Sequence, residues 1–275
     1  MLRVVVFAMA LLGGGIAAAG EETLDLGGVR TTVWSDADAT GALPVLVFSH
    51  GFHGCATQSR FLMTAFASAG YLVLAPNHHD ATCNGGRAGW LDRPAQPFDR
   101  PDAWTDAVYR DRADDIRTVV DALGRDARLR DRADLHRLGL VGHSLGGYTV
   151  LGLSGAWPSW RLDGVKAVLA LSPYSTPFIV HRTLAHLAAP VMFQGGSWDF
   201  GITPFVIAPD GAFEQAPSPK YYVEFEYAGH FAWTDVRDID HDAIVSYSVA
   251  FMNHYLKAQP ADALLRPDQR IVAAP

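Results

Sequence analysis

Three polar side chains that lie far apart in the chain have the types that nucleophilic catalysis requires. They are Ser144, Asp199 and His230, in that order along the sequence. A serine hydroxyl is a weak nucleophile near neutral pH until a histidine takes its proton and a carboxylate orients that histidine. In hydrolases built on a mostly parallel sheet, serine, acid and base follow one another in this order. We therefore interpret these residues as a catalytic triad for acyl transfer.

The serine lies in a motif that would expose its hydroxyl. Gly142-His-Ser-Leu-Gly146 fits the pattern G-x-S-x-G. Residues 138–141 before it have the pattern of a strand, and residues 145–153 after it have that of a helix. In this context a sharp strand-to-helix turn presents the serine above the sheet, and glycines let neighbouring backbone pass closely. Without the context the pattern is weak, and a glycine-rich turn with an N-capping serine is the alternative.

The acid and the base each follow a segment that we interpret as a buried strand. Asp199 is the first carboxylate after residues 190–194, and His230 is the only histidine directly after residues 221–227. Taken singly, either could be an ordinary turn or helix-end residue. Competing residues are less well placed, either late in the acid loop, after the histidine, or on the last helix: Asp210, Glu214, Asp235, Asp238, Asp240, His241 and His254.

An ester hydrolase also needs two N–H groups for the oxyanion of its tetrahedral intermediate. The first is the N–H of Leu145, directly after the serine. The second candidate is the N–H of Phe52, in the segment Ser49-His-Gly-Phe52 that follows an apolar strand. We expect Gly51 to let the backbone turn, so that the Phe52 side chain walls the acyl pocket. An ordinary strand-to-helix turn is the alternative.

Strand-like and helix-like segments alternate along the chain, which favours an α/β fold with a mostly parallel central sheet and helices on both faces. The predicted buried strands are residues 44–49, 71–75, 138–141, 165–171, 190–194 and 221–227, after an antiparallel strand or hairpin over 23–35. The predicted helices are residues 57–69, 104–123, 145–153 and 240–256. We expect one domain over residues 21–275, with a long loop at 76–103 and a poorly ordered tail at 259–275.

Composition and the N-terminal residues restrict the class of protein. The chain has 275 residues, of which 49% are hydrophobic, and a formal net charge of -7. A mildly acidic chain without a basic cluster is a poor nucleic-acid binder. Residues 1–20 combine Arg3, an apolar run and small residues near Ala19, which is typical of a secretory signal peptide. A membrane anchor is the alternative, but the apolar run is short. We therefore expect a secreted or periplasmic protein without a stable membrane anchor.

With these residues identified, the sequence resembles the α/β hydrolases of the dienelactone-hydrolase-like group. This group includes the type II platelet-activating-factor acetylhydrolases and the bacterial cutinase-like polyester hydrolases. The resemblance extends over about residues 45–235 and depends on three segments, Val45-Leu-Val-Phe-Ser-His-Gly-Phe52, Gly142-His-Ser-Leu-Gly-Gly147 and residues 218–231. It implies the α/β-hydrolase fold and an esterase activity. Dienelactone hydrolases themselves use a cysteine nucleophile, whereas this chain has Ser144.

The resemblance also suggests roles for residues outside the triad. It places residues 172–175 along the substrate cleft, with Tyr174 where polyester hydrolases usually carry tryptophan. It places Cys55 and Cys83 on neighbouring loops, which implies a disulfide between them. Trp198 and Trp233 adjoin the acid and the histidine, so we interpret them as cleft walls, with packing as the alternative.

One further cluster of residues has the types that bind metals. His50, His53, His78, His79 and Asp80 fall on two neighbouring loops and could hold zinc. Their spacing fits no metal motif that we know, so we expect hydrogen bonding and no metal. No cofactor is required for the proposed chemistry. The sequence therefore predicts a secreted serine esterase for neutral, fairly apolar small or polymeric esters; acetylhydrolase, polyester hydrolase and non-catalytic binding protein are the alternatives.

Overall fold

The computed structural model describes residues 20–273, and a nine-stranded sheet runs through this part of the chain. Its strands are β1 (Gly20–Leu26), β2 (Val29–Ser35), β3 (Leu43–Ser49), β4 (Leu72–Pro76), β5 (Ala133–His143), β6 (Val165–Leu171), β7 (Val191–Gly196), β8 (Lys220–Phe225) and β9 (Arg270–Ala273). The predicted signal peptide falls almost wholly on residues 1–19, which lie outside the described residues.

The sheet is mostly parallel, with antiparallel pairing at one edge. Its strand order is β1-β2-β4-β3-β5-β6-β7-β8-β9. Strands β1, β2 and β4 pair antiparallel, and all other neighbours pair parallel. The parallel order β5-β6-β7-β8 brings the loops that follow these four strands to one edge. The predicted serine, acid and histidine lie on three of those loops.

Helices cover both faces of the sheet, as predicted from the alternation of segments. The helices are α1 (Arg60–Ser68), α2 (Arg110–Leu123), α3 (Leu145–Leu151), α4 (Thr176–His181), α5 (Thr203–Ile207), α6 (Ala212–Gln215) and α7 (His241–Lys257). All seven residues of β3 are buried. Val45 and Val47 pack with residues of α2 and α3, whereas Leu46 and Phe48 pack with residues of α1 and α7. Burial of both faces explains why this strand is a continuous apolar run.

The helix predicted at residues 104–123 begins later than expected. Tyr109 adopts a left-handed conformation, with φ 60°, and α2 starts at Arg110. Trp104 is completely buried, and its Nε1 donates to the carbonyl oxygen of Pro97 at 3.0 Å. The helical period of residues 104–109 therefore reflects burial of aromatic side chains in a turn and not a helix.

The C-terminal segment also differs from the expectation of poor order. Arg270–Ala273 forms β9, which pairs in parallel with β8 at the edge of the sheet. Residues of β8 such as Tyr222 and Val223 offer backbone partners there, and a four-residue strand has too weak a pattern to be found in a Pro- and Ala-rich tail. Within residues 20–273, no helix has the length and apolar character needed to cross a membrane.

Candidate active site

The turn between β5 and α3 places Ser144 in a strained conformation. Its φ is 55° and its ψ is −116°, a region that residues other than glycine rarely occupy. A Cβ atom on Gly142 would lie 2.2 Å from the carbonyl oxygen of Gly146, and one on Gly146 would lie 1.9 Å from that of Ser49. Both flanking positions of the motif therefore exclude any side chain, and the turn has the form expected for a nucleophile elbow.

His230 joins the serine to the predicted acid. Its Nε2 lies 2.9 Å from Ser144 Oγ, and its Nδ1 lies 3.2 Å from Asp199 Oδ2. Asp199 is almost fully buried, at 3% exposure, in the loop after β7, whereas His230 remains partly accessible after β8. The structure thus brings together the three residues that the sequence analysis selected, with the imidazole between the hydroxyl and the carboxylate.

A fourth residue, Ser172, was expected to lie along the substrate cleft, but the structure places it beside the acid and the histidine and not in the cleft lining. It follows β6, is completely buried, and has a φ of 42°. Its Oγ donates a short hydrogen bond to Asp199 Oδ2 and lies 2.8 Å from Nδ1 of His230. Because β6 lies between β5 and β7, a polar residue directly after it falls between the nucleophile and the acid. That position in the strand order is the signal that could have identified it.

His143, the second residue of the G-x-S-x-G motif, links the histidine loop to the loop after β3. Its Nε2 lies 2.8 Å from the carbonyl oxygen of His230, and its Nδ1 lies 3.0 Å from Nε2 of Gln58. Burial, together with the neighbouring imidazole of His230, lowers the pKa of His143 to about 3. The neutral ring donates from Nε2 and accepts at Nδ1, and Gln58 Oε1 in turn accepts the N–H of Gly51 at 3.0 Å.

The two predicted oxyanion donors flank the serine. Gly51 is so close that a Cβ atom on it would lie 3.4 Å from Cβ of Ser144. Across residues 20–273 the N–H groups of Phe52 and Leu145 find no protein acceptor. Two unoccupied donors next to the Ser144 hydroxyl are an arrangement that could bind a tetrahedral oxyanion.

A cleft of about 1170 Å³ opens over the serine. Phe52 and Tyr174, both predicted to contact substrate, line it together with Ser144 and His230. The lining also includes apolar side chains, among them Phe98, Ile202 and Phe205, and polar ones, among them Gln58, Arg60, Asp99, Thr234 and Asp235. The cleft is therefore large enough for a drug-sized ligand and mainly apolar near Tyr174.

The two tryptophans predicted as cleft walls lie elsewhere, and this interpretation was wrong. Trp233 is completely buried, and its Nε1 donates to Oε1 of Gln194 at 2.9 Å in the core between β7 and α7. Trp198 is 60% exposed and packs edge-on against Tyr227 outside the cleft. Proximity in sequence to the acid and the histidine misled here, because the loop backbone turns these side chains away.

The loops after β3 and β4 are tied to each other beside the cleft. A disulfide joins Cys55 to Cys83. The Thr82 N–H and hydroxyl donate to the carbonyl oxygens of Gly54 and His53, respectively. Gly54 and Cys83 both line the cleft. The covalent link therefore stabilises the wall that carries the Phe52 N–H, the second predicted oxyanion donor.

The cluster of loop histidines surrounds a buried arginine. Nε and Nη2 of Arg112 donate to the two carboxylate oxygens of Asp80 at 3.0 and 2.9 Å. Burial, together with the positive charge of Arg112, lowers the pKa of both His50 and His78 well below the ordinary value. In the part of the chain from residue 20 to 273, no group of three or more histidine, cysteine or acidic residues is arranged to hold a metal ion.

This cluster contains a second serine, histidine and aspartate in contact. His78 lies 2.9 Å from Ser49 Oγ through Nε2 and 2.9 Å from Asp115 Oδ2 through Nδ1. Ser49 is completely buried and does not line the cleft above Ser144. Contact geometry alone therefore does not identify a nucleophile, and access to the hydroxyl distinguishes Ser144.

The sheet order, the elbow and the cleft together define an α/β hydrolase. The crystal structure of a predicted CIB-like hydrolase from Thermoplasma acidophilum has the same fold, with a TM-score of 0.59 at 16% sequence identity over 86% of this chain and 99% of that one. The model of the dienelactone hydrolase family matches residues 29–230, and the chain belongs to that family.

Curated relatives of the chain act on esters, according to their names. Cutinase est2 of Thermobifida alba is 26% identical over 77% of this chain and 59% of its own length. The bis(hydroxyethyl) terephthalate hydrolase of Streptomyces coelicolor is 21% identical over 83% of this chain and 62% of its own length. The chain thus spans about three fifths of the length of these relatives, and the resemblance expected from the sequence is confirmed at the level of the family.

Proposed function

We propose that the protein is an exported serine esterase that hydrolyses neutral, largely apolar carboxylic esters through an acyl-enzyme. The observation that supports this most strongly is the contact between His230 Nε2 and Ser144 Oγ at the floor of an open cleft. The buried Ser49 lacks such access. The family and the named relatives support an ester substrate.

In the proposed reaction His230 accepts the proton of Ser144 as the hydroxyl oxygen attacks the ester carbonyl carbon. The carbonyl oxygen becomes an oxyanion that accepts hydrogen bonds from the Phe52 and Leu145 N–H groups. Asp199 keeps the Nδ1 proton of the imidazole in place, so that Nε2 is the basic nitrogen. Collapse of the intermediate breaks the bond to the alcohol, which leaves with the proton from His230. Water then attacks the acyl-enzyme by the same route and releases the acid.

The charges at the cleft support a neutral substrate. Arg60 is paired with Glu21, with Nε 2.6 Å from the carboxylate, and so is not free to bind an anion. The carboxylate of Asp235 accepts the N–H groups of Arg60 and Phe61 at the start of α1. These groups are engaged in the fold, and the aromatic lining near Tyr174 provides apolar contact. An ester with an anionic acyl group would therefore find no free cationic partner in Arg60.

Export is part of the same proposal. The N-terminal residues have the composition of a signal peptide, and a disulfide beside the cleft suits an oxidising compartment. Expression with the native N-terminus, followed by N-terminal sequencing of the protein recovered outside the cytoplasm, tests it. Cleavage near Ala19 or Gly20 is the expected result, and an uncleaved, cell-associated chain would contradict it.

Turnover of p-nitrophenyl esters by wild type and Ser144→Ala tests the catalytic assignment. We expect a loss of at least about a thousandfold in kcat, since removal of the nucleophile leaves only oxyanion and binding effects. Labelling by a fluorophosphonate should disappear in the same variant. Ser159→Ala is a matched control, because this exposed hydroxyl contacts only Asp106. Equal turnover by wild type and Ser144→Ala would refute the proposal.

Turnover of esters that differ in their acyl and alcohol parts identifies which substrates the enzyme prefers. A panel of p-nitrophenyl esters of increasing acyl length, a polyester film and an acetylated phospholipid separates a general esterase from a polyester hydrolase and an acetylhydrolase. The size of the cleft and its apolar lining favour esters larger than acetate. We therefore expect kcat/KM to rise from acetate to butyrate or hexanoate.

A further inference from the structure

A buried arginine that takes no part in the proposed reaction lies directly behind Ser49–Phe52, which we call the oxyanion segment. Arg112 is on α2 and has no exposed side-chain surface. Its Nη1 donates to the carbonyl oxygen of His50 at 2.8 Å, and its Nη2 to that of Gly51 at 3.3 Å. The His50 carbonyl shares one peptide group with the Gly51 N–H, and the Gly51 carbonyl shares the next one with the Phe52 N–H. Nδ1 of His50 lies 2.7 Å from the same Gly51 oxygen. The arginine therefore holds two consecutive peptide groups from one side, and the His50 ring supports the second of them.

The planarity of the peptide group converts this contact into an orientation of the N–H groups. In a trans peptide the C=O and the following N–H point in opposite directions. With the His50 carbonyl turned toward Arg112, the Gly51 N–H points the other way and meets Oε1 of Gln58 at 3.0 Å. By the same rule the Phe52 N–H points away from the arginine. It is on this far side that the cleft and Ser144 lie.

The position of the guanidinium itself is fixed by a carboxylate. Asp80, whose side chain is 5% exposed, binds Arg112 through two parallel hydrogen bonds. A planar fork on a carboxylate has one geometry, whereas a lysine ammonium could occupy several. Buried ion pairs contribute little net stability because of their desolvation, so stability alone gives no reason for a charge at this position. The need to orient the oxyanion segment does give a reason for the charged pair.

We propose that Arg112, fixed by Asp80, is a positioning residue that sets the orientation of the Phe52 N–H in the oxyanion hole. This inference rests on the proposed esterase function. It assigns to a side chain outside the cleft an effect on the transition state and not on substrate binding. Its removal should therefore lower kcat and kcat/KM by the same factor and leave KM unchanged.

The test compares Arg112→Lys and Arg112→Gln with the same substitutions at Arg117. Arg117 is a matched control, since it is on the same helix and donates to the backbone carbonyls of Trp160 and Arg161, away from the cleft. With p-nitrophenyl butyrate, we expect kcat of the Arg112 variants to fall about 10- to 100-fold, somewhat less than loss of a whole oxyanion donor. KM should stay within about threefold, and the Arg117 variants should keep wild-type kcat.

A charge-conserving variant keeps the inference testable if Arg112 cannot be replaced. Asp80→Glu retains the ion pair but displaces the guanidinium from the two carbonyls by the length of one methylene. We expect kcat to fall at least about fivefold at constant KM, with near-UV circular dichroism unchanged. Full activity in folded Arg112→Lys or Asp80→Glu overturns the inference while leaving the esterase assignment intact. Wild-type protein whose turnover equals that of Ser144→Ala overturns both.

Discussion

At the scale of single residues, the orientation of His230 depends on more than the predicted acid. Nδ1 lies closer to Ser172 Oγ, at 2.8 Å, than to Asp199 Oδ2, at 3.2 Å. Because the Ser172 hydroxyl donates to the same carboxylate oxygen, one hydroxyl both accepts from the imidazole and supports the acid. A hydrogen bond to a charged group contributes more than one between neutral groups, about 1.5–3 kcal/mol. Ser172 is therefore expected to share in holding the tautomer that makes Nε2 basic.

Ser172→Ala tests this shared role. We expect kcat to fall roughly tenfold, since a poorly held imidazole would raise the activation free energy by about 1.4 kcal/mol. KM should change little, because the substitution removes no contact with the substrate. Ser175→Ala is a matched control, because its buried hydroxyl, three residues further on, has no hydrogen-bond partner among residues 20–273. Steady-state kinetics of both variants on one ester decide the question. Equal kcat values for the two variants would show that Asp199 orients the imidazole alone.

At the scale of elements, the site depends on how closely α3 approaches the end of β3. Gly146 has no room for a side chain, since its Cβ would meet the carbonyl oxygens of Ser49 and His50 at 1.9 and 2.8 Å. Both atoms belong to the segment that carries Phe52, the proposed oxyanion donor. Backbone cannot yield as a flexible side chain can, so any larger residue must displace α3 or this segment.

Gly146→Ala should therefore lower both stability and activity. We expect a loss of roughly 2 kcal/mol in the free energy of unfolding, within the range for overpacking, and a fall of at least about tenfold in kcat. Gly124→Ala provides the control, because that position follows α2 with an ordinary backbone conformation and the nearest atom to an added Cβ is 4.0 Å away. Urea unfolding and ester turnover measure the two effects. Wild-type behaviour of Gly146→Ala would mean that the approach is not tight.

The disulfide joins two loops that the strand order alone leaves independent. Cys55 and Cys83 are 28 positions apart, and a loop of that size contributes about 3–4 kcal/mol by restricting the unfolded chain. The double variant Cys55→Ser/Cys83→Ser should lower the free energy of unfolding by that amount. Its activity at low temperature should change less, since Thr82 and Arg112 still hold the same loops. Thermal melting with and without reductant, on wild type and the variant, checks the expectation. A reductant-insensitive wild-type Tm would contradict it.

Most of the sheet and the three main site residues could be predicted because each leaves a local signal. The buried strands are continuous apolar runs, and residues 165–171 match β6 at both ends. Asp199 and His230 directly follow such runs. The elements that were predicted wrongly are determined by tertiary contacts, which a local sequence pattern does not show. Trp104 fits a helical pattern of apolar residues only because it fills an aromatic cluster before α2. Strand β9 forms because β8 offers a free edge.

The supporting residues of the site could not be predicted for a similar reason. Arg112 looks like one charged position among several on an amphipathic helix, and nothing in its neighbours reveals that it is buried. Gln58 and His143 bond to each other across 85 positions, and a single sequence carries no record of such a pair. Trp198 shows the converse error, since adjacency in sequence was taken for adjacency in space.

At the scale of the whole molecule, burial of neutral histidines links stability to pH. His50, His78 and His143 lie fully inside the fold, and burial is the main cause that lowers the pKa of each, to about 3 for His143. In the unfolded chain the same groups titrate near about 6.5. As pH falls below that value the unfolded chain binds up to three protons that the folded state does not take up. The contribution of these histidines to the free energy of unfolding is therefore complete above pH 6.5, and it is lost as pH falls toward the folded-state pKa values.

The free energy of unfolding should consequently fall steeply on the acid side of neutrality. Three such groups give a slope of up to about 4 kcal/mol per pH unit below pH 6.5. Protonation of Asp115, whose pKa burial raises to about 7, opposes their effect in the same pH range. His143→Gln removes one of the three histidines, so its slope should be lower than the wild-type slope by about 1.4 kcal/mol per pH unit whatever the variant's absolute stability. His136→Gln is the control, because that imidazole is exposed. Urea unfolding at intervals from pH 7.5 to 5 measures the slopes. If wild type and His143→Gln lose stability in parallel, His143 is protonated inside the fold and cannot link the histidine loop to Gln58 as a neutral ring.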